Sequence, residues 1–302
     1  MSTIATAPAT APDRRSGATA SSVLTVGPHG TRRRRDRLAT EEPLEIRIGG
    51  PGEEPVSVAV TMRTPGQDHE LAAGFLAAEG LLGAGIVGIS LCAPNVARVR
   101  IASPVDASRL RRRVEATSSC GMCGHTTLDE VEARLPTLVG GPAVDHALIT
   151  ALPEQARDAQ RLFDRTGGLH AASVFTGDGD LQVVREDVGR HNAVDKALGH
   201  ELLFGAAEGP RGRTVPDGPV GPRGDDAPPG TATARDAILL LSGRASFELV
   251  QKAAAGRIAV VCAVSAPSSL AVDAAGRLGV TLIGFLRGDT FNVYAGAERV
   301  IR

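Results

Sequence analysis

Tryptophan is absent from this sequence, and there is a single tyrosine, Tyr294. Stacking platforms for single-stranded bases therefore have little to be built from. The 33 basic and 34 acidic residues leave a net charge of −1, so the chain lacks the field that bulk nucleic-acid binding requires. No apolar run approaches the roughly 20 residues of a membrane span, which excludes a spanning helix of that kind. The N-terminus has no apolar block behind a basic start, and Arg14-Arg15 is not followed by one. Neither a secretory nor a twin-arginine signal is expected. Cysteine is scarce: Cys92, Cys120, Cys123 and Cys262 are the whole supply. Four cysteines with one close pair do not make a disulfide framework, and the expectation is a cytoplasmic protein with reduced thiols.

What is present reads as an ordinary folded chain. Its 302 residues, 42% apolar and 22% charged, suit one or two domains with a real core. The chemical centre is Ser118-Ser119-Cys120-Gly121-Met122-Cys123-Gly124-His125. The glycines allow an open turn that presents both sulfurs. Arg109, Arg111, Arg112 and Arg113 lie just upstream, and nearby positive charge favours the reactive thiolate. A zinc site would need a second pair. None exists, and Cys92, Cys262 and His125 are poorly spaced or in apolar settings. A dithiol redox pair lacks the strand-to-helix placement of thioredoxin-like proteins. A sulfur carrier, taking sulfane sulfur by thiol exchange, fits this loop better. Cys92 itself reads as a small buried hydrophobe.

Along the chain, residues 1–38 are expected to be a disordered tail, poor in large apolar residues until its end. The basic run Arg32–Arg35 is either a solvated arm or a docking point for an acidic partner. An N-terminal α+β domain is expected over 39–150: a hairpin of Leu44–Ile48 and Val56–Met62, a helix from His69 to about Leu82, strands Ile86–Cys92 and Val96–Ile101, and a short basic helix 106–114 leading into the cysteine loop. A second domain, 151–302, should open with a helix from Pro153 to about Phe163. Strands Ala171–Phe175 and Leu181–Val184 then flank the turn Gly177-Asp178-Gly179-Asp180. A helix follows from Val188 to Leu198. The all-apolar runs Ile238–Leu241, Ile258–Val264 and Val280–Leu286 alternate with helices Ser246–Ala254 and Ser268–Leu278. That alternation predicts an α/β fold with a mixed, mainly parallel sheet. Residues 205–235, broken by Gly-Pro and Pro-Pro pairs, read as a flexible insertion.

Four constellations bear on chemistry. Besides the cysteine loop there is Arg185–Lys196, in which Asp187, His191 and Asp195 recur every four residues and would share a helical face. This is either a cap with surface ion pairs or a binding surface with His191 as acid or base. Ser242-Gly243-Arg244-Ala245-Ser246 and Ser265-Ala266-Pro267-Ser268-Ser269 each follow a buried strand and open a helix. Each is either a plain cap or an anion site, and in a parallel sheet both lie on one edge. With Arg244 they suggest a phosphorylated ligand. Finally, Phe285-Leu286-Arg287-Gly288-Asp289-Thr290 ends the last buried strand. It is either an ordinary charged turn or a site in which Arg287 pairs with phosphate and Asp289 accepts from a guanine edge.

Taken together, these stretches resemble the FdhD family of formate dehydrogenase accessory sulfurtransferases. The matching residues include Glu41–Leu44, Thr64-Pro65-Gly66, Leu71–Phe75, Glu79-Gly80, Ser118–Gly124, Thr166–Ala172, Arg185–Lys196, Ser242–Arg244, Ser265–Ser269 and Gly284–Arg287. The resemblance implies a sulfurtransferase that takes sulfur from a cysteine desulfurase. It hands that sulfur to the molybdenum cofactor, bis-molybdopterin guanine dinucleotide, before insertion into the catalytic subunit of formate dehydrogenase. It implies Cys120 as persulfide carrier with Cys123 assisting or sharing sulfur. The cofactor would be a bound substrate held by Phe285–Thr290, with Ser242, Gly243, Arg244, Ser265, Ser268 and His191 around it. It also implies a homodimer and a C-terminal domain of cytidine-deaminase-like, three-layer fold. The deaminase zinc signature is H-x-E followed later by P-C-x-x-C. Here His170-Ala171-Ala172 lacks the glutamate and the cysteine pair precedes the histidine, so no permanently bound metal is expected. The competing reading is a non-catalytic chaperone that holds the cofactor.

Overall fold

The computed structural model describes residues 17–83, 85–105, 134–205 and 231–301. The expected helix 106–114, the cysteine loop and most of the 205–235 insertion lie outside them. Two bodies are built around two sheets. The smaller begins with β3 (Glu42–Gly49) and β4 (Val56–Arg63), an antiparallel hairpin, and adds β5 (Ile86–Ala93) and β6 (Val96–Ile101) in the order β4-β3-β6-β5. Alternation along β3 puts Leu44, Ile46 and Ile48 on one face, all fully buried, where helix α1 (Asp68–Ala78) covers them with Leu71, Phe75 and Leu76. Cys92 departs from expectation. It is exposed, because β5 is an edge strand whose second half leaves the core.

The larger sheet has the order β14-β13-β12-β11-β8-β9. Its strands are β8 (His170–Thr176), β9 (Leu181–Asp187), β11 (Arg235–Leu241), β12 (Ile258–Ala263), β13 (Thr281–Arg287) and β14 (Thr290–Ala295). β11, β12 and β13 run parallel, joined through α5 (Phe247–Ala255) and α6 (Ser269–Leu278). The pairs β8–β9, β8–β11 and β13–β14 are antiparallel. The sheet is therefore mixed rather than mainly parallel. Tight turns at Gly177–Asp180 and Gly288-Asp289 return the chain as hairpins, and only helical crossovers make parallel neighbours.

The all-apolar strands are explained by burial on both faces. Ile238 and Leu240 of β11 join the core under helix α2 (His146–Asp158), while Leu239 and Leu241 face α4 (Arg190–Phe204), α5 and α6. Helix α2 starts at His146, seven residues before Pro153, behind the cap Asp145, whose carboxylate accepts from Leu148 N at 2.8 Å. Pro153 sits inside the helix, and a separate short helix, α3 (Arg161–Thr166), follows. The domain boundary expected at residue 150 thus falls within a helix. Strand β7 (Thr137–Val139), which precedes that helix, pairs in parallel with β10 (Thr231–Thr233), at the end of the expected insertion.

Residues 18–38, expected as disordered tail, instead form most of a hairpin of two ten-residue strands, β1 (Ala18–Gly27) and β2 (Gly30–Ala39). Composition hid it: the β1 sequence is mostly small and polar, and only the burial of every second residue, Thr19, Ser21, Val23 and Thr25, marks a half-covered strand.

The two bodies meet where α1 crosses α4. A Cβ at Gly74 would lie 1.9 Å from the Asp195 carbonyl oxygen, and one at Gly199 would lie 1.8 Å from the Glu70 carbonyl oxygen. Backbone touches backbone there, which only glycine permits. Leu203, at the far end of α4, is in the core of the smaller body.

Candidate functional site

Parallel strands place their C-terminal ends on one edge, and there the turns after β11 and β12 are stitched to each other and to the end of β13. Ser265 N donates to Gly243 O (3.3 Å), Ala245 N to Ala266 O (3.3 Å), Ser268 N to Ala245 O (3.0 Å) and Phe285 N to Ser265 O (3.2 Å). The start of β8 joins this edge, because β8 runs antiparallel to β11. Ser242 N donates to Ala171 O, and Ser242 Oγ accepts from Ala171 N at 2.8 Å. A Cβ at Gly243 would stand 3.6 Å from His170 Nδ1.

The edge is electropositive. Arg244 and Arg287 are exposed, and Arg190 opens α4. Partial burial, followed by the charges of Arg190 and Arg244, lowers the pKa of His170, so the imidazole is held neutral in ordinary conditions and is ready to gain a proton beside an anion. His191 Nε2 lies 3.3 Å from Glu248 Oε2, and Ser246 Oγ donates to the same carboxylate oxygen at 3.0 Å. The hydrogen bond from His191, aided by Ser246, holds the Glu248 pKa at about 2. Ser246 thus serves the carboxylate and does not cap α5. Ser268 does act as a cap, accepting from Ala271 N at 3.2 Å. Of the two hydroxyl turns, the second therefore follows the plain capping alternative at this serine.

Phe285 is the unusual residue of the edge. It has φ of 52°, in the left-handed region, and its side chain is 40% exposed. A bulky residue is strained in that conformation. The chain there is crowded: a Cβ at the preceding Gly284 would meet Pro267 Cδ at 2.9 Å and Tyr294 Cε2 at 3.0 Å. The Arg287 guanidinium lies 5.8 Å from the Phe285 ring centre, and Arg287 Nε donates to Val264 O at 3.3 Å. The β13–β14 turn is anchored by His146, whose Nε2 is 2.6 Å from Asp289 O and whose ring stacks on Phe291.

The expected residues sort clearly. Ser242, Gly243, Arg244, Ser265, Ser268, Phe285 and Arg287 come together, with Gly288, Asp289 and Thr290 in the adjoining hairpin turn. The Leu286 side chain points into the core and is 1% exposed. His191 joins the edge through Ser246, but Asp187 and Asp195 do not share its surface. Both are buried, paired to Lys196 at 2.7 Å and Lys252 at 2.6 Å. Cys120 and Cys123 lie outside the described residues. Cys262 is sealed in the core, where burial pushes its thiol pKa up. Sequence reasoning missed Arg190 and Glu248 as part of the site. Glu248 carries no local signal, since its partner His191 is 57 positions away.

Comparison with known proteins follows this geometry. A sequence profile described as the FdhD/NarQ family matches residues 39–301. The chain is 46% identical over 291 residues to the sulfur carrier protein FdhD of Nocardia farcinica, covering 92% of this chain and 93% of that one. It is 48% identical over 283 residues to the protein of the same name from Streptomyces avermitilis, covering 88% and 90%. The crystal structure of a protein from Desulfotalea psychrophila, described as a formate dehydrogenase accessory protein, superposes with a TM-score of 0.70 at 23% identity. It spans 95% of this chain and 100% of its own, and the likeness is one of fold.

Proposed function

This chain belongs to the FdhD/NarQ family, and from that premise we propose that it carries sulfur for the maturation of formate dehydrogenase. The Cys120 thiolate attacks the outer sulfur of a persulfide on a cysteine desulfurase. The desulfurase thiolate leaves, and Cys120 holds the sulfur as its own persulfide with Cys123 assisting. That sulfur then passes as hydrosulfide to bis-molybdopterin guanine dinucleotide, a substrate bound at the sheet edge. The Cys123 thiolate attacks the Cys120 sulfur, a Cys120–Cys123 disulfide forms, and a cellular dithiol reduces it for the next cycle. In this reading the larger body is the cytidine-deaminase-like cofactor domain, and the relay runs in the cytoplasm.

The observation that carries the cofactor half is the convergence of three strand ends on an edge with exposed Arg244, Arg287 and Phe285. Backbone strain at a bulky residue persists where surroundings enforce it, often to pre-organise a ligand clamp. A ring held outward in this way suits the face of a guanine, with Asp289 available for the base's donor edge. Arg244, Arg287 and the neutral His170 suit its phosphates, since an arriving dianion stabilises imidazolium. The family relatives named sulfur carrier support the sulfur half.

The test is the substitution Cys120→Ala. The variant should keep the wild-type melting profile and guanine-nucleotide affinity yet lose activation of formate dehydrogenase. Full activation would refute the relay. Incubation of wild type with a desulfurase and cysteine should add one sulfur to the peptide bearing Cys120 and Cys123. No addition would leave a cofactor-holding chaperone.

A further inference from the structure

The hairpin of β1 and β2 is not used by any step above, and its two faces differ. Residues directly opposite in the register share a face. Ala20 with Arg37, Ser22 with Arg35, Leu24 with Arg33 and Val26 with Thr31 form one face, and all eight side chains are exposed. Leu24 and Val26 are 55% and 72% exposed. On the other face Thr19, Ser21, Val23 and Thr25 of β1 are half-buried, while their β2 partners Arg32, Arg34 and Leu38 are exposed. β2 carries Arg32, Arg33, Arg34, Arg35 and Arg37 against the lone Asp36, and only Arg34 is paired with that aspartate, at 3.1 Å. The remainder of the chain, 28 basic and 33 acidic residues after subtracting these five arginines and one aspartate from the totals, is net acidic.

The root of the ribbon lies beside the candidate edge. Thr40 N donates to Gly17 O, a Cβ at Gly17 would touch Leu162 and Thr64, and one at Gly168, two residues before His170, would lie 3.9 Å from Ala39. Ten residues of strand extend about 33 Å from such a root. A two-stranded ribbon is marginal alone, and arginine mixed with exposed aliphatic side chains is the composition of a protein interface. Nucleic acid is disfavoured by the exposed Leu24 and Val26 on the strand beside the arginines, and a bilayer by the Pro28-His29 tip.

We propose that the open face of this ribbon docks an acidic surface on the protein that donates sulfur. This rests on the relay above. The relay meets two proteins, the donor and formate dehydrogenase. The donor must bring its persulfide to the chain before any cofactor leaves for the dehydrogenase, and the docking arm is assigned to that first encounter.

The experiment uses the full chain, a purified cysteine desulfurase, and inorganic polysulfide as a donor with no surface to dock. In the triple variant Arg33→Gln, Arg35→Gln, Arg37→Gln, the dissociation constant for desulfurase and the half-saturating desulfurase concentration for loading should both rise about tenfold. Loading by polysulfide should not change. Added salt should weaken desulfurase binding to wild type but hardly affect the variant. The triple Arg→Lys variant should recover most of the binding, which separates lost charge from an unravelled hairpin. Equal desulfurase affinity in wild type and the Gln variant would overturn the proposal. So would a defect confined to activation of formate dehydrogenase, a change in oligomeric state between the two, or tighter binding to duplex DNA or phosphatidylglycerol vesicles than to desulfurase. If wild type takes sulfur from neither donor, the relay fails, and the binding measurement still decides the ribbon.

Discussion

Replacing Lys196 by methionine should be among the most damaging single changes in the chain. The Lys196 side chain is fully buried, and its ammonium lies 2.7 Å from Asp187 Oδ2, itself fully buried. It also donates to Thr64 O at 2.8 Å and Glu186 O at 3.4 Å, which occupies all three of its protons. Methionine matches the stem in volume, so little cavity is expected and the loss is electrostatic. Removing one partner of a buried pair costs about 3–5 kcal/mol. The lower end applies here, because Asp187 keeps Thr64 N, Gly189 N and Asn192 Nδ2 as donors at 3.1, 2.8 and 3.2 Å. The orphaned Thr64 carbonyl adds about 1 kcal/mol. A total near 4 kcal/mol should lower Tm by about 10 °C in a chain of this size, measured by circular dichroism. Asp187→Asn should cost a similar amount. The double variant should cost less than the sum by at least about 1 kcal/mol, the coupling expected of direct contact. Because Thr64 belongs to the smaller body and Gly189 begins the site-bearing end of α4, both single variants should also weaken guanine-nucleotide binding. A Lys196→Met protein melting within 2 °C of wild type, on the roughly 2–4 °C per kcal/mol scale, would refute this account.

Gly74→Ala tests the helix crossing. The new methyl would meet the Asp195 carbonyl oxygen at 1.9 Å and Gly199 N at 2.8 Å, both backbone, so a helix must move. A loss of about 3 kcal/mol in urea unfolding is expected, and a change below about 0.5 kcal/mol, the scale of ordinary surface substitutions, would show that the bodies are not in such contact. Glu248→Gln tests the His191 pair. The Glu248 pKa of about 2 lies below the 4.5 of a free glutamate side chain, so this carboxylate contributes stability that is fully present above about pH 4.5 and is lost as pH falls toward 2. Wild type should exceed the variant in stability at pH 6, with the difference shrinking below pH 4.5. A difference that stays constant over that range would count against the pair.

The buried strands were the most readable part of the fold. Ile238–Leu241 and Ile258–Val264 are apolar at every position because a helical layer covers each face of the sheet. Their turns could be placed on one edge from the same logic. The ribbon was not readable, because strands of threonine, serine and arginine differ little in composition from a solvated tail, and only pairing distinguishes them. Pro153 misled because proline favours a helix start, while the effective cap, Asp145, stands eight residues earlier. The four-residue spacing of Asp187, His191 and Asp195 suggested one polar face. That inference assumed the helix was already running at Asp187, which is in fact the last residue of β9. The His191–Glu248 contact and the strain at Phe285 depend on tertiary packing and leave no trace in spacing.

Buried charge in this protein is concentrated along one seam. Arg63 pairs with Asp68 at the head of α1, Glu70 of α1 with Arg185 and His200, Asp187 with Lys196, and Asp195 with Lys252. Such pairs contribute little net stability compared with apolar packing, since desolvation offsets most of the attraction. Their use here is better argued from register. α1 and α4 touch backbone to backbone at Gly74 and Gly199. Sliding by a helix turn, about 5.4 Å, would bring residues with a Cβ into that contact, and the charges add a second penalty. Sliding would separate Glu70 from Arg185 and His200, and would pull Thr64 from Lys196, leaving charges buried without partners. The seam therefore admits one register. That register fixes the smaller body against α4, whose first turn carries Arg190 and His191, the latter beside Ser246 and Glu248.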